Sequence, residues 1–426
     1  MTTKLSEFLK SSLTAYHTCD NAKKFLLENG FECLVEREDW ALKEDGKYFV
    51  ERGGGSLIAF TIGSLEDFAY KIIASHTDSP ALKLKENPSM SSEYYVSINV
   101  EKYGGGIWYS FFDRPLKIAG RVIKNVDGLL VPQTVTSEYN VTIPSVAIHM
   151  NKEANNGFAI NPQIDLKPLY SLSGEEFSPN DLLAEGDNSR VVAYDLFVIN
   201  ADTPYSFGKN NEFLASPRID NLTSVFASLE ALVSNEERSG VCIAALLNNE
   251  EVGNLTAQGA DGDFLENVLK RIASGFRFDD DEYFKALASS FLISADNAHA
   301  VHPNHPEKSD PTNRTELGGG VVIKAHANKM YITDAVSSAI VKTLFENANV
   351  KYQYFFNRSD MKSGSTLGVA TLSHIGVKGV DIGIAQLAMH SACECFAKSD
   401  YTEMVNGLTA FFDSTILFTP EGILIR

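Results

Sequence analysis

The sequence predicts an α/β protein, a mainly parallel central sheet with helices, interrupted by a β-rich insertion. Three observations carry this. Apolar runs of strand length, among them KIIAS (71–75), VCIAALL (241–247) and FLIS (291–294), alternate with helical patterns towards both ends of the chain. Between about 90 and 210 the character changes to short β-rich pieces separated by turn residues. The chain has 426 residues, more than one ordinary core holds.

The elements follow in order. A helix is expected over 4–28, broken near its middle, then strands over 56–62 and 71–75. YYVSINV, LKIAGRVI and VVAYDLFVI read as insertion strands, punctuated by Gly104-Gly105-Gly106 and Val126-Asp127-Gly128. The resulting division places 1–88 and 211–426 in one domain and 89–210 in the inserted one. Beyond it, Leu222, Val225, Phe226, Leu229, Leu232 and Val233 recur at helical spacing. Then come the strand 241–247, a helical region over 264–290 and the strand 291–294. VVIKAHA, YQYFF and GVDIGI are further strands, and a closing helix is expected near 400–416.

Composition excludes several classes. A hydrophobic fraction of 44% with 22% charged residues is that of a soluble globular protein. A net charge of −18 argues against nucleic acid and against an anionic membrane surface as partners. No run of about 18 apolar residues is present, and the polar N-terminal stretch lacks a signal-peptide core. Five cysteines, at 19, 33, 242, 393 and 395, show no framework spacing. Reduced thiols in a cytoplasmic setting are expected.

The chemistry collects at the ends of the apolar strands, where open α/β sheets build their sites. KIIAS leads into His76, VCIAALL into Glu250-Glu251, and FLISA into Asp296. Asp220 precedes a helix, and His390 follows GVDIGIAQL. Each has an ordinary explanation alone: a capping acid, a turn residue, a solvated pair of glutamates. Together they offer two imidazoles and three carboxylates, a mixed ligand set for two divalent cations with one bridging carboxylate. Adjacent residues on an extended chain point to opposite sides. One of the two glutamates can therefore ligate while the other serves as a base. His299 and His302 compete as ligands or substrate contacts; His17, His326 and His374 read as structural or surface residues.

Nine stretches are specific enough to name a relative: HTDSP (76–80), YGGGIW and FDRPLKIAGRV (103–122), IPSVAIHM (143–150), SPRIDN (216–221), NNEEVGN (248–254), SADNAHAVHPN (294–304), GSTLG (364–368) and QLAMHSACE (386–394). In this order, over essentially the whole chain, the sequence resembles the M18 metallo-aminopeptidases, the aspartyl aminopeptidase group. The resemblance implies a zinc-exopeptidase-like α/β catalytic domain interrupted by a β-rich dimerisation domain. It implies two divalent ions per subunit, zinc foremost, with cobalt or manganese as alternatives. His76 and Asp296 would hold one, Glu251 and His390 the other, and Asp220 would bridge. A water between the ions would attack the peptide, with Glu250 as general base and later acid. Asp78 would orient His76, and His299 would bind substrate. His149 would reach a neighbouring subunit's site in dimers that assemble into a tetrahedral dodecamer. Lys324, with Tyr331 nearby, would hold an acidic N-terminal side chain of the peptide.

Tyr109, Ser145 and Met361-Lys362-Ser363 depart from the family pattern. They leave the ligands intact and open the choice between an acidic and a neutral first residue. Two other readings remain at this point: a deacylase or carboxypeptidase on a similar dimetal core, and a non-catalytic assembly protein that keeps the fold.

Overall fold

Strands buried on both faces read as unbroken apolar runs, and those runs form the middle of a nine-stranded mixed sheet. The computed structural model describes residues 2–66, 68–235 and 239–426. The strand order is Glu32–Leu34, Lys47–Arg52, Ser56–Ile62, Val241–Leu247, Tyr70–His76, Phe291–Ala295, Lys378–Gly383, Val321–Lys324 and Tyr352–Phe355. The central four, from Val241–Leu247 to Lys378–Gly383, run parallel. Antiparallel pairings flank them, Ser56–Ile62 on one side and Val321–Lys324 on the other.

Helices cover both faces. Thr2–Ser11, Ala15–Glu28, Ile219–Ser234, Ala335–Asn347 and Lys398–Asp413 share one core with the sheet. Phe264–Gly275, Asp280–Ala288 and Leu367–Ile375 cover the other face. The N-terminal helix breaks where expected, with Thr14 extended at φ −143. Ile219–Ser234 buries Leu222, Val225, Phe226, Leu229 and Leu232, and Phe8 stacks on Phe226 at 4.6 Å. Each such side chain contributes about 1.5–3 kcal/mol by burial, which fixes this helix, and the acid at its start, against the sheet.

The β-rich segment forms a six-stranded antiparallel sheet. Its order is Leu129–Thr136, Leu116–Val126, Arg190–Asn200, Ala81–Ser91, Tyr95–Tyr103 and Leu169–Leu172. The sheet has its own apolar core around Ile98, Ile118, Leu196 and Val198. It begins at Ala81 and ends at Asn200, whereas the sequence division falls at 89 and 210. The strand Ala81–Ser91 leaves directly from HTDSP, with no turn to mark it. Two features carried no periodic signal. A small sheet joins Tyr205–Phe207, Phe213–Ser216, Glu394–Ala397, Ala385–Leu387 and Ala298–His299. The closing helix stops at Asp413, and Ile416–Thr419 pairs with Gly422–Ile425 in a hairpin. No helix among the described residues is long and apolar enough to cross a membrane.

Candidate metal centre

Parallel pairing brings the strand ends to one edge. In the register of Tyr70–His76 with Val241–Leu247, His76 lies beside Leu247. Phe291–Ala295 flanks the same strand on its other side and leads into Asp296. Asp220 stands at the start of its helix with non-helical φ −79 and ψ 108. His390 comes from the small sheet, between Ala385–Leu387 and Glu394–Ala397, at φ +66.

The five expected donors meet. His76 Nε2 lies 3.5 Å from Asp220 Oδ1 and 3.6 Å from Asp296 Oδ1. His390 Nε2 lies 3.4 Å from Asp220 Oδ2 and 3.3 Å from Glu251 Oε1. Asp220 thus turns one oxygen to each histidine. Two donor triads result, His76–Asp220–Asp296 and Asp220–Glu251–His390, each with its ligand atoms within 4.8 Å of one another. Glu250 joins Glu251 and His76 in a third such group.

The glutamate pair differs from the extended-chain expectation. Asn249 turns the chain at φ +62, and Glu250–Val252 forms a single 3-10 turn. Both carboxylates face His76, so they do not lie on opposite sides of a strand. The tight turn separates successive side chains by about 120° about its axis, which keeps the two groups distinct.

The donors suit cations on two counts. First, each imidazole has its Nδ1 on a carbonyl oxygen, His76 on Asp78 O at 3.1 Å and His390 on Gly105 O at 3.1 Å. A carbonyl only accepts, so Nδ1 carries a proton, which leaves each Nε2 as the ring atom able to offer a lone pair to a cation among the carboxylates. Second, Asp220 Oδ1 and Glu251 Oε1 are buried without a hydrogen-bond partner among the described residues. Such orphaned oxygens cost about 1–3 kcal/mol each, a cost that divalent cations held by the two triads would remove.

The charges within the cluster offset one another. Burial opposes a charged His76, yet Asp220, Asp296 and Asp78 outweigh it and hold the imidazole well above the usual range. His390 is likewise held up, to about 10, as Asp220 and Glu251 outweigh burial. The Asp220 carboxyl is held below its ordinary value: burial would raise it, and His390 and His76 lower it. Burial pushes Glu250 up to about 7, with the negative charges of Asp296 and Asp78 adding to it and His76 opposing. Burial also drives Glu251 well above its ordinary value.

A second layer holds these groups. Asp78 accepts the backbone N–H of Glu250 at 3.1 Å and of Glu251 at 3.2 Å, and the Tyr103 hydroxyl at 2.7 Å. Its carboxylate stands 3.6 Å from His76 Nδ1. Lys324, wholly buried, places Nζ 3.6 Å from Asp296 Oδ2 and donates to Asn297 O at 3.2 Å. Glu394 escaped the sequence reading, although it lies in the quoted QLAMHSACE. It accepts the backbone N–H of Asp220 at 2.9 Å and of His390 at 2.6 Å. The one signal for it was a lone acid in a short apolar stretch, four residues after His390. Gly105 and Tyr103 were missed for a different reason: they act through a backbone carbonyl and a distant fold contact.

The remaining expected residues stand outside the donor groups. His299 is exposed on Ala298–His299, its ring 6.1 Å from Phe355 and within electrostatic reach of Asp220, Lys324 and His390. Tyr331 is buried, with the Lys324 ammonium 5.2 Å from its ring centre. His149 is exposed in the β-rich segment, outside the donor groups. His302 pairs with His305 at the surface, and neither it nor His299 joins a donor group. A cleft of roughly 620 Å³ opens onto Glu250, Glu251 and His390, with Gly105 and Thr366 in its walls. A separate cavity of roughly 230 Å³ backs onto Asp78, Asp220 and Glu394.

A family model described as aminopeptidase I zinc metalloprotease (M18) matches residues 8–412. A Clostridium acetobutylicum relative named "Probable M18 family aminopeptidase 2" is 41% identical over 423 residues, covering 96% of this chain and 98% of its own. A chain of the solved Ape4 and Nbr1 complex superposes with a TM-score of 0.92 at 33% identity, over 96% of this chain and 85% of that one. The S. cerevesiae mApe1 dodecamer superposes at 0.82 with 26% identity, over 96% and 95% of the two chains. Fold and sequence together define a zinc metalloprotease of the exopeptidase type. More particularly, the chain belongs to the M18 family of zinc aminopeptidases, hydrolases that remove N-terminal residues.

Proposed function

We propose that the aminopeptidase works with two divalent ions, His76 and Asp296 holding one, Glu251 and His390 the other, and Asp220 shared. The observation that carries this is the pair of donor triads with Asp220 common to both. Mixed nitrogen and oxygen donors suit zinc, and cobalt or manganese can substitute. When bound, such ions supply Lewis acidity, making a water acidic near neutral pH and polarising the scissile carbonyl. Glu250, unassigned as a ligand, takes the proton of the attacking water and returns it to the leaving amine. Asp78 orients His76 and anchors the turn that carries both glutamates.

The proposed substrate is a peptide with a free N-terminal amine, bound with the help of His299. An acidic first residue is proposed on the Lys324 charge beside Tyr331. A neutral first residue is the second reading, favoured by the pairing of Lys324 with Asp296. A profile on aminoacyl reporters for wild type and Lys324→Ala separates them. Loss of an acidic preference supports the first reading; an unchanged profile with weaker metal binding supports the second.

The six-stranded sheet is proposed as a dimerisation domain of a cytoplasmic homo-oligomer, up to a tetrahedral dodecamer. Val146, Ile148 and Met150, beside His149 in the connection between Leu129–Thr136 and Leu169–Leu172, are exposed. From there His149 would reach a neighbouring site and stabilise the tetrahedral intermediate. Chelation should abolish release of the first residue, and zinc, cobalt or manganese should restore it. Two ions per chain in the restored enzyme is the expected stoichiometry. One ion per chain at full activity would refute the dinuclear reading.

A further inference from the structure

Beneath the donor cluster runs a chain of three buried polar side chains, Glu394, Gln386 and Asn297. Glu394 Oε2 accepts the Asp220 N–H at 2.9 Å, and Oε1 accepts the His390 N–H at 2.6 Å. The Gln386 amide donates to Glu394 Oε1 at 3.4 Å. Its own oxygen accepts from Asn297 Nδ2 at 2.8 Å. Asn297 follows Asp296 in sequence, and its amide also donates to Ile219 O at 3.0 Å, one residue before Asp220. Its Oδ1 accepts the Ile384 N–H at 3.3 Å. Asp296, Asp220 and His390 come from the large sheet, a helix start and the small sheet. No hydrophobic contact fixes such a trio to a fraction of an ångström, whereas directional hydrogen bonds do.

We propose that Glu394 is a positioning residue: it fixes the shared carboxylate Asp220 relative to His390, and Gln386 and Asn297 extend that brace to Asp296. The inference rests on the two-ion reading above. The carboxylate suits the task because both its oxygens accept, and it meets two backbone donors at once. A carboxamide has one oxygen and one NH2. In Glu394→Gln, one of the two N–H groups therefore faces a donor. Asp220 serves both triads, but His390 serves only one. The effect should fall chiefly on the ion held by Glu251 and His390.

The test is cobalt titration of the stripped full-length protein, following visible absorption and bound cobalt per chain, with turnover measured separately. Wild type should bind two ions. Glu394→Gln should keep one at near wild-type affinity and bind the other about 10–100-fold more weakly, the range for loss of a partner behind a metal ligand. Its absorption bands should shift, which a purely structural loss of stability would not produce. Two ions with unchanged affinities and spectrum in Glu394→Gln would overturn the positioning role and leave the two-ion reading intact. One ion in wild type would instead overturn the two-ion reading itself. If Glu394→Gln does not fold, Gln386→Leu takes its place. It breaks the brace while both N–H bonds to Glu394 remain. A second cobalt weakened several-fold supports the proposal, and unchanged titration contradicts it.

Discussion

The Asp78 carboxylate accepts the backbone N–H of Glu250 at 3.1 Å through Oδ1. Its other oxygen takes the Glu251 N–H at 3.2 Å and the Tyr103 hydroxyl at 2.7 Å. One buried side chain thereby sets both the turn carrying the two glutamates and the face of His76. In Asp78→Asn, an NH2 group replaces one acceptor and opposes a donor. Metal affinity and kcat should each fall by about 10–100-fold, with Tyr103→Phe showing a milder loss of the same kind. Equal metal content and kcat in Asp78→Asn and wild type would remove Asp78 from the account.

Gly383 tests how Asp296 is placed. A Cβ there would lie 2.0 Å from the Asp296 carbonyl oxygen, so the backbone has to move. Gly383→Ala should cost about 1–3 kcal/mol of stability and weaken metal binding, although the glycine carries no ligand. Denaturant unfolding of the stripped protein and a zinc titration read the two effects separately.

His17 gives the fold an acid limit away from the metal centre. Its ring bridges Thr14 through Nδ1 and Thr136 through Nε2, both at 2.9 Å, tying a helix to the six-stranded sheet. Burial lowers its pKa to about 4; Asp20 opposes that and Arg218 adds to it. The unfolded chain takes up a proton near pH 6.5, where the folded one does not. The stability of the neutral ring is therefore complete above about pH 6.5 and is lost as pH falls towards 4. Unfolding of the stripped protein between these values should show an acid loss of about 3 kcal/mol that His17→Gln lacks. Parallel pH profiles for the two proteins would contradict it.

How far the sequence went can be judged residue by residue. His76, Glu251 and Asp296 were legible because each follows an apolar run buried on both faces, and a parallel register aligns run ends. Asp220 and His390 were legible as residue types near element ends, but their convergence needed the helix packing and the small sheet. That sheet was illegible: strands such as Ala298–His299 are too short for any period. The first strand of the six-stranded sheet was not legible because Ala81–Ser91 continues from the site without a turn. Glu394 was invisible as a site residue because it touches the ligands' backbones, and backbone partners leave no residue-type pattern. Lys324 was read as reaching the substrate, but its burial against Asp296 only emerges from packing.

The central claim is the division of labour between Glu250 and Glu251, one moving the proton and the other holding an ion. Steady-state kcat and bound zinc per chain, measured together on Glu250→Gln with Glu251→Gln as companion, test it most directly. Glu250→Gln should keep wild-type zinc while kcat falls about 10²–10⁴-fold, and Glu251→Gln should lose one zinc. Unchanged kcat in Glu250→Gln, or zinc lost from it and retained by Glu251→Gln, would contradict the account.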